Sequence, residues 1–139
     1  MHIAKYNLVN LYIISILTTN TKINMSLIQG TALVVDDEAD ICGLLTSFLK
    51  RRNYETSFAM TLQEGLKKCE TDLPDIIFLD NNLPDGAGID FISKFNSLSP
   101  RSRIIVISAM TQLKEKALNA GATGFVGKPI SYSLLENYL

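Results

Sequence analysis

Histidine occurs once, at His2, and cysteine twice, at Cys42 and Cys69, in a chain of 139 residues. A zinc site built from Cys and His therefore lacks ligands, and the two cysteines form no CxxC pair. Both read as small apolar residues of helix faces in a reducing compartment; a disulfide between them is the alternative. Excess charge of either sign is also missing. Thirteen Lys and Arg stand against fourteen Asp and Glu, for a net charge of −1. That balance argues against a nucleic-acid binder driven by phosphate electrostatics. Internal repeats and low-complexity tracts are absent. What is present is a 47% hydrophobic composition, enough for a substantial core, in a length that suits one domain.

The first thirty residues differ from the rest. No Asp or Glu precedes Asp36, and Lys5 and Lys22 are the fixed positive charges of residues 1–30. The apolar run LVNLYIISIL (8–17) is shorter than the roughly 20 residues a membrane-spanning helix needs. Lys5 followed by an apolar middle has the outline of a signal peptide, yet TTNTKIN offers no small-residue cleavage site. A second methionine, Met25, stands just before SLIQGTALVVDDE. Residues 1–30 are therefore expected to be an extension outside the fold, either disordered or the product of a start placed too early. A helix that touches a membrane or a partner is the alternative.

From Thr31 the chain alternates two periods. TALVVD (31–36) is a short β-branched run, as a buried strand requires. Ile41, Leu44, Leu45, Phe48 and Leu49 then recur at helical spacing, and the helix of about 39–52 closes on the basic Lys50-Arg51-Arg52. YETSFA (54–59) alternates as a half-buried strand. TLQE (61–64) is a capping-box pattern opening a helix that buries Leu62, Leu66 and Cys69. DIIFLD (75–80) is the most apolar strand, and Ile89, Ile92 and Phe95 mark a third helix. RIIVIS (103–108) is a fourth strand, TQLKEKALNA (111–120) a fourth helix, and TGFVG (123–127) a fifth strand. SYSLLENYL (131–139) starts a fifth helix, with Ser133 and Glu136 at capping-box spacing. Five strand–helix units predict an α/β fold, a parallel sheet with helices on both faces, doubly wound, with ligands at the carboxyl ends of the strands.

Those carboxyl ends carry the chemistry. Strand one ends in Asp36-Asp37-Glu38, strand three in Asp80, strand four in Ser108, and strand five runs into Lys128-Pro129. Taken singly, each has an ordinary reading: a helix cap, an Asx turn, a turn serine, a solvated lysine. Together on one edge they suit phosphoryl transfer to a carboxylate. Asp80 can act as nucleophile, the acidic group can attract Mg²⁺, and a lysine and a hydroxyl can serve phosphoryl oxygens. Gly86 and Gly88 let the following loop offer backbone groups without steric cost.

On these residues the chain resembles the receiver domain of bacterial two-component response regulators. The matching stretches are LVVDDE (33–38), IIFLDNNLPDGAG (76–88), IIVISA (104–109) and AGATGFVGKP (120–129), spread over 31–139. The resemblance implies a flavodoxin-like (βα)5 sheet in the order 2-1-3-4-5. It implies that Asp80 is the phosphoacceptor and that Asp36 and Asp37, with Asp80 and the backbone carbonyl of Asn82, hold Mg²⁺. Ser108 takes the place of the switch hydroxyl and Phe125 that of the switch aromatic. Lys128 pairs with the phosphate, and Lys128-Pro129 is a cis peptide. The implied partners are a sensor histidine kinase or phosphotransfer protein upstream, and an output protein or a C-terminal effector domain downstream. The resemblance also allows a phosphorylation-dependent dimer and implies a cytoplasmic protein without direct nucleic-acid binding, catalysing only its own phosphorylation and dephosphorylation. The expected domain is 31–139. Ile130 replaces a common aromatic, and the short last helix leaves room for a continuation. Two rivals stand beside this reading. An aspartate-nucleophile phosphatase of the haloacid-dehalogenase type expects a second acid where Asn82 stands. A receiver-like module that only binds partners expects missing acidic or lysine positions.

Overall fold

The computed structural model describes the backbone of residues 2–139 and the side chains of residues 8–19 and 27–139. Its main sheet has five parallel strands: β1 (Gly30–Val35), β2 (Tyr54–Ala59), β3 (Ile76–Asp80), β6 (Arg103–Ser108) and β7 (Gly124–Gly127). The spatial order is β2-β1-β3-β6-β7, the 2-1-3-4-5 order that the family resemblance implied. Two further strands, β4 (Asn82–Leu83) and β5 (Gly86–Ala87), form a separate antiparallel hairpin directly after β3.

Helices cover both faces of the sheet. Along β1, β3 and β6 successive side chains point to opposite faces, and both faces are dry, so the strands read as unbroken apolar runs. Leu33, Val35, Ile77, Leu79, Ile104 and Val106 pack with α3 (Leu62–Asp72), α4 (Ile92–Leu98) and α5 (Lys114–Asn119). Ala32, Val34, Ile76, Phe78, Ile105 and Ile107 pack with α2 (Ala39–Arg51) and α6 (Tyr132–Glu136). Phe78 and Phe95 are among the largest fully buried side chains, each contributing about 1.5–3 kcal/mol of transfer free energy. The edge strand β2 departs from the alternation expected of it: Thr56 and Ser57 are both half-buried, and Phe58 is exposed.

Several element boundaries differ from the sequence expectation. The third and fourth helices each begin with a 3-10 turn, at Gly88–Phe91 and Thr111–Leu113. Ser131 rather than Ser133 takes the N-cap position of the last helix, its hydroxyl bonded to that of Ser133 at 2.7 Å rather than to a helix amide, and the helix ends at Glu136. Its terminus is pinned instead by the α2 surface: Tyr132 stacks on Phe48 at 4.8 Å, and Arg52 pairs with Glu136.

Residues His2–Leu27 form one 26-residue helix, α1. Leu8, Val9, Leu11, Tyr12, Ile13, Ile14, Ile16 and Leu17 are all exposed on it. The side chains of Lys5, Lys22 and Met25 lie outside the described residues. Among the described residues, no helix is long and apolar enough to cross a membrane.

Candidate functional site

The strand ends converge as the topology requires. β1 and β3 are neighbours, and Asp36, just past the end of β1, and Asp80, the last residue of β3, meet at one edge; both carboxylates are buried. β7 lies beside β6, and the Lys128 amide donates to the Ser108 carbonyl at 3.0 Å. The chain then turns through a cis Lys128–Pro129 peptide. Lys128 reaches back across the edge, its Nζ 3.1 Å from Asp36 Oδ2, 3.3 Å from Asp80 Oδ1 and 3.7 Å from Glu38 Oε1.

Charge is unbalanced here. Asp36, Asp37 and Glu38 bring carboxylate oxygens within 4.8 Å of one another, and Asp80 adds a fourth carboxylate through Lys128. One ammonium, that of Lys128, pairs with Asp36, Glu38 and Asp80. Burial pushes the Asp80 carboxyl up to about 6, with the Asp36 charge adding to the rise and Lys128 opposing it. Burial would lower Lys128, but its hydrogen bond to Asp36 and the Asp80 and Asp36 charges outweigh that, and its pKa is raised. An all-oxygen donor set with excess negative charge suits a hard divalent cation such as Mg²⁺, so the residues present fit the ion that the sequence implied.

A cleft of about 200 Å³ opens over this group, lined by Asp37, Glu38, Asp80, Asn81, Asn82, Ser108, Ala109, Met110 and Lys128. Of the sequence-derived site residues, Asp36, Asp80 and Lys128 are in direct contact, while Asp37, Asn82 and Ser108 line the same space. The Ser108 hydroxyl accepts from the Met110 amide at 3.0 Å. Phe125 stands apart from the cleft, half-buried against the core beneath α4 and α5. A second cleft, near Thr31, Glu55, Thr56 and Asp72, lies toward the starts of β1 and β2, away from this chemistry.

The loop after Asp80 holds features that sequence reasoning passed over. Asn81 is buried, its amide donating to Ile107 O at 3.3 Å and its Oδ1 accepting from the Ile89 amide at 3.1 Å. Gly88 donates to Asn81 O at 2.8 Å, and a Cβ on Gly88 would sit 2.1 Å from the Asp80 carbonyl oxygen. Cys42 donates from Sγ to the Asp36 carbonyl at 3.2 Å, and burial pushes its thiol up to about 11, so it serves the strand end as a neutral donor.

Comparison with known proteins agrees with this architecture. The family model of the response regulator receiver domain matches residues 32–139. The KDP operon transcriptional regulatory protein KdpE of Escherichia coli is 39% identical over 106 residues, covering 75% of this chain and 47% of its own length. The chemotaxis protein CheY of Thermotoga maritima is 35% identical over 104 residues, covering 73% of this chain and 87% of its own. A response regulator from Burkholderia pseudomallei, solved with a phosphorylated aspartic acid, a calcium ion and citrate, superimposes with a TM-score of 0.71. It is 27% identical and the match covers 76% of this chain and 64% of that one. The chain belongs to the response regulator receiver family, the phosphorylation-dependent signalling switches of two-component systems. It spans about half the length of the KdpE relative.

Proposed function

We propose that Asp80 accepts a phosphoryl group from a partner histidine kinase or phosphotransfer protein, and that the resulting charge resets the surface formed by α5, β7 and α6. The observation that carries this reading is the Lys128 ammonium, held between the buried Asp36 and Asp80 carboxylates at 3.1 and 3.3 Å. Asp36, Asp37 and Asp80 side chains, with the Asn82 carbonyl, would hold Mg²⁺. The ion, when bound, neutralises charge on phosphoryl oxygens.

In the transfer, an Asp80 carboxylate oxygen forms a bond to phosphorus as the phosphorus–nitrogen bond of the donor phosphohistidine breaks, and the imidazole nitrogen keeps the electron pair. Lys128 pairs with the new dianion. Ser108 gives up its bond from the Met110 amide and donates its hydroxyl to a phosphoryl oxygen. Its displacement frees space for Phe125 to turn inward, and the partner preference of the output face changes. Residues 31–139 are the switch and 1–30 an extension that leaves the site untouched. The chain acts in the cytoplasm on an output protein or effector domain. Asn82 in place of a second acid weighs against the phosphatase rival, and the complete acid–lysine set weighs against a module that only binds.

Incubation with acetyl phosphate and Mg²⁺, followed by intact-mass measurement, tests the proposal. Wild type should gain one phosphoryl mass, and Asp80→Asn should gain none. Equal labelling of the two, or none in wild type, would falsify it.

A further inference from the structure

At the start of α3 the amides of Leu62, Gln63 and Glu64 precede the first intrahelical bond, Gly65 N to Thr61 O at 3.0 Å, and need other acceptors. One is met locally: Glu64 N donates to Thr61 Oγ1 at 3.1 Å. The other two are met from 22 and 23 residues away. Leu62 N donates to Asp85 Oδ1 at 2.8 Å and Gln63 N to Asp85 Oδ2 at 3.0 Å. Asp85 therefore spends both carboxylate oxygens on another element's helix end. These bonds hold its carboxyl below the usual carboxylate range.

Asp85 sits at the tip of the β4–β5 hairpin, whose register pairs Asn82 with Ala87 and Leu83 with Gly86. Pro84 and Asp85 make the turn, and Gly86 takes a φ of +151° that an L side chain rarely adopts. A Cβ on Gly86 would lie 3.2 Å from Leu62 Cδ1, so the tip also packs on the residue it caps. The hairpin base is fixed separately by Asn81, through Ile107 and Ile89. Asn82 lies between these two anchors and lines the cleft.

We propose that Asp85 is a positioning residue: by tying the hairpin tip to the start of α3, it fixes the Asn82 carbonyl at the site and so sets divalent-cation affinity. The metal half of this inference rests on the phosphoacceptor reading above. The tether half rests only on the hydrogen bonds and packing at the tip. Without Asp85 the tip loses its hydrogen bonds and keeps only apolar packing, and a two-residue ladder is too short to fix its own shape in water.

Two variants separate positioning from plain helix stability. Thr61→Ala removes the local cap of the same helix and leaves the tether in place. Asp85→Ala removes the tether. Both should lower the melting temperature by comparable amounts. Only Asp85→Ala should raise the Mg²⁺ concentration that half-saturates acetyl phosphate labelling, by about three- to tenfold, at or below the loss seen for direct outer-sphere partners of a metal. Asp85→Asn, which keeps one acceptor oxygen, should fall between. Amide hydrogen exchange over residues 81–88, measured without metal or phosphodonor, should quicken in Asp85→Ala and stay unchanged in Thr61→Ala. Equal half-saturation and equal exchange in the two variants would make Asp85 a helix cap and nothing more, overturning the proposal. Absence of Mg²⁺-dependent labelling in wild type overturns the phosphoacceptor reading and the metal half with it, while the exchange comparison still decides the tether.

Discussion

Asp80 is a carboxylate that the fold destabilises and Lys128 only partly compensates. Its folded-state pKa, about 6 against an ordinary 3.8, means that the folded chain holds this proton more tightly than the unfolded chain does. Between those values the native state binds more protons, so the contribution of Asp80 to stability is present at low pH and is lost as pH rises through about 6. That difference corresponds to about 3 kcal/mol. Metal-free wild type should therefore lose stability relative to Asp80→Asn, which cannot ionise, as pH rises from about 4 to about 7. Urea unfolding of both proteins across that range measures the difference. The comparison with Asp80→Asn removes the opposite slope of carboxylates such as Asp85, whose pKa is lowered. A difference that stays constant with pH would mean that Lys128 compensates Asp80 in full.

Elements place these residues by close backbone approach as much as by side-chain packing. The turn from β3 into the β4–β5 hairpin brings Gly88 against Asp80, with room for no Cβ: the nearest backbone oxygen would be 2.1 Å away. Gly88→Ala should cost roughly 1–3 kcal/mol, the range for overpacked sites, and should displace the Asp80 backbone. Thermal unfolding with parallel acetyl phosphate labelling checks it, and labelling should fall more than the lost stability alone explains. The strands and the convergence of Asp36, Asp80 and Lys128 on one edge were legible in the sequence, because buried parallel strands advertise themselves as apolar runs and their ends follow from topology; the strand order came from the family resemblance. The anchors of the loop were not. Asp85 in a Pro-Asp-Gly turn has the composition of any turn, and nothing local reveals that its partners are the amides of Leu62 and Gln63. Asn81 reads as a turn residue until the Ile89 amide is brought to it. Ser133 matched a capping pattern by spacing alone, but helical backbone begins at Tyr132 and puts Ser131 at the cap.

For the molecule as a whole, the site depends on contacts within residues 30–139, while α1 runs through residues 2–27 with its apolar side chains from 8 to 17 turned outward. The junction is slight: Gln29 donates its amide to Asn53 O at 2.8 Å before β1 begins. Among the described residues, the two core clusters draw no buried residue from α1. An exposed stretch of that hydrophobicity adds nothing to the core and is a liability in water. A chain starting at Met25 should thus melt within a degree or two of the full chain and take up phosphoryl groups from acetyl phosphate at an unchanged rate. It should also bind less of a hydrophobic dye such as anilinonaphthalene sulfonate, because the side chains from Leu8 to Leu17 are the largest exposed apolar run on the described surface. Calorimetry, intact-mass time courses and dye fluorescence on the two chains decide it. A large drop in melting temperature would show that α1 supports the receiver fold, and a changed labelling rate would place α1 in contact with the site.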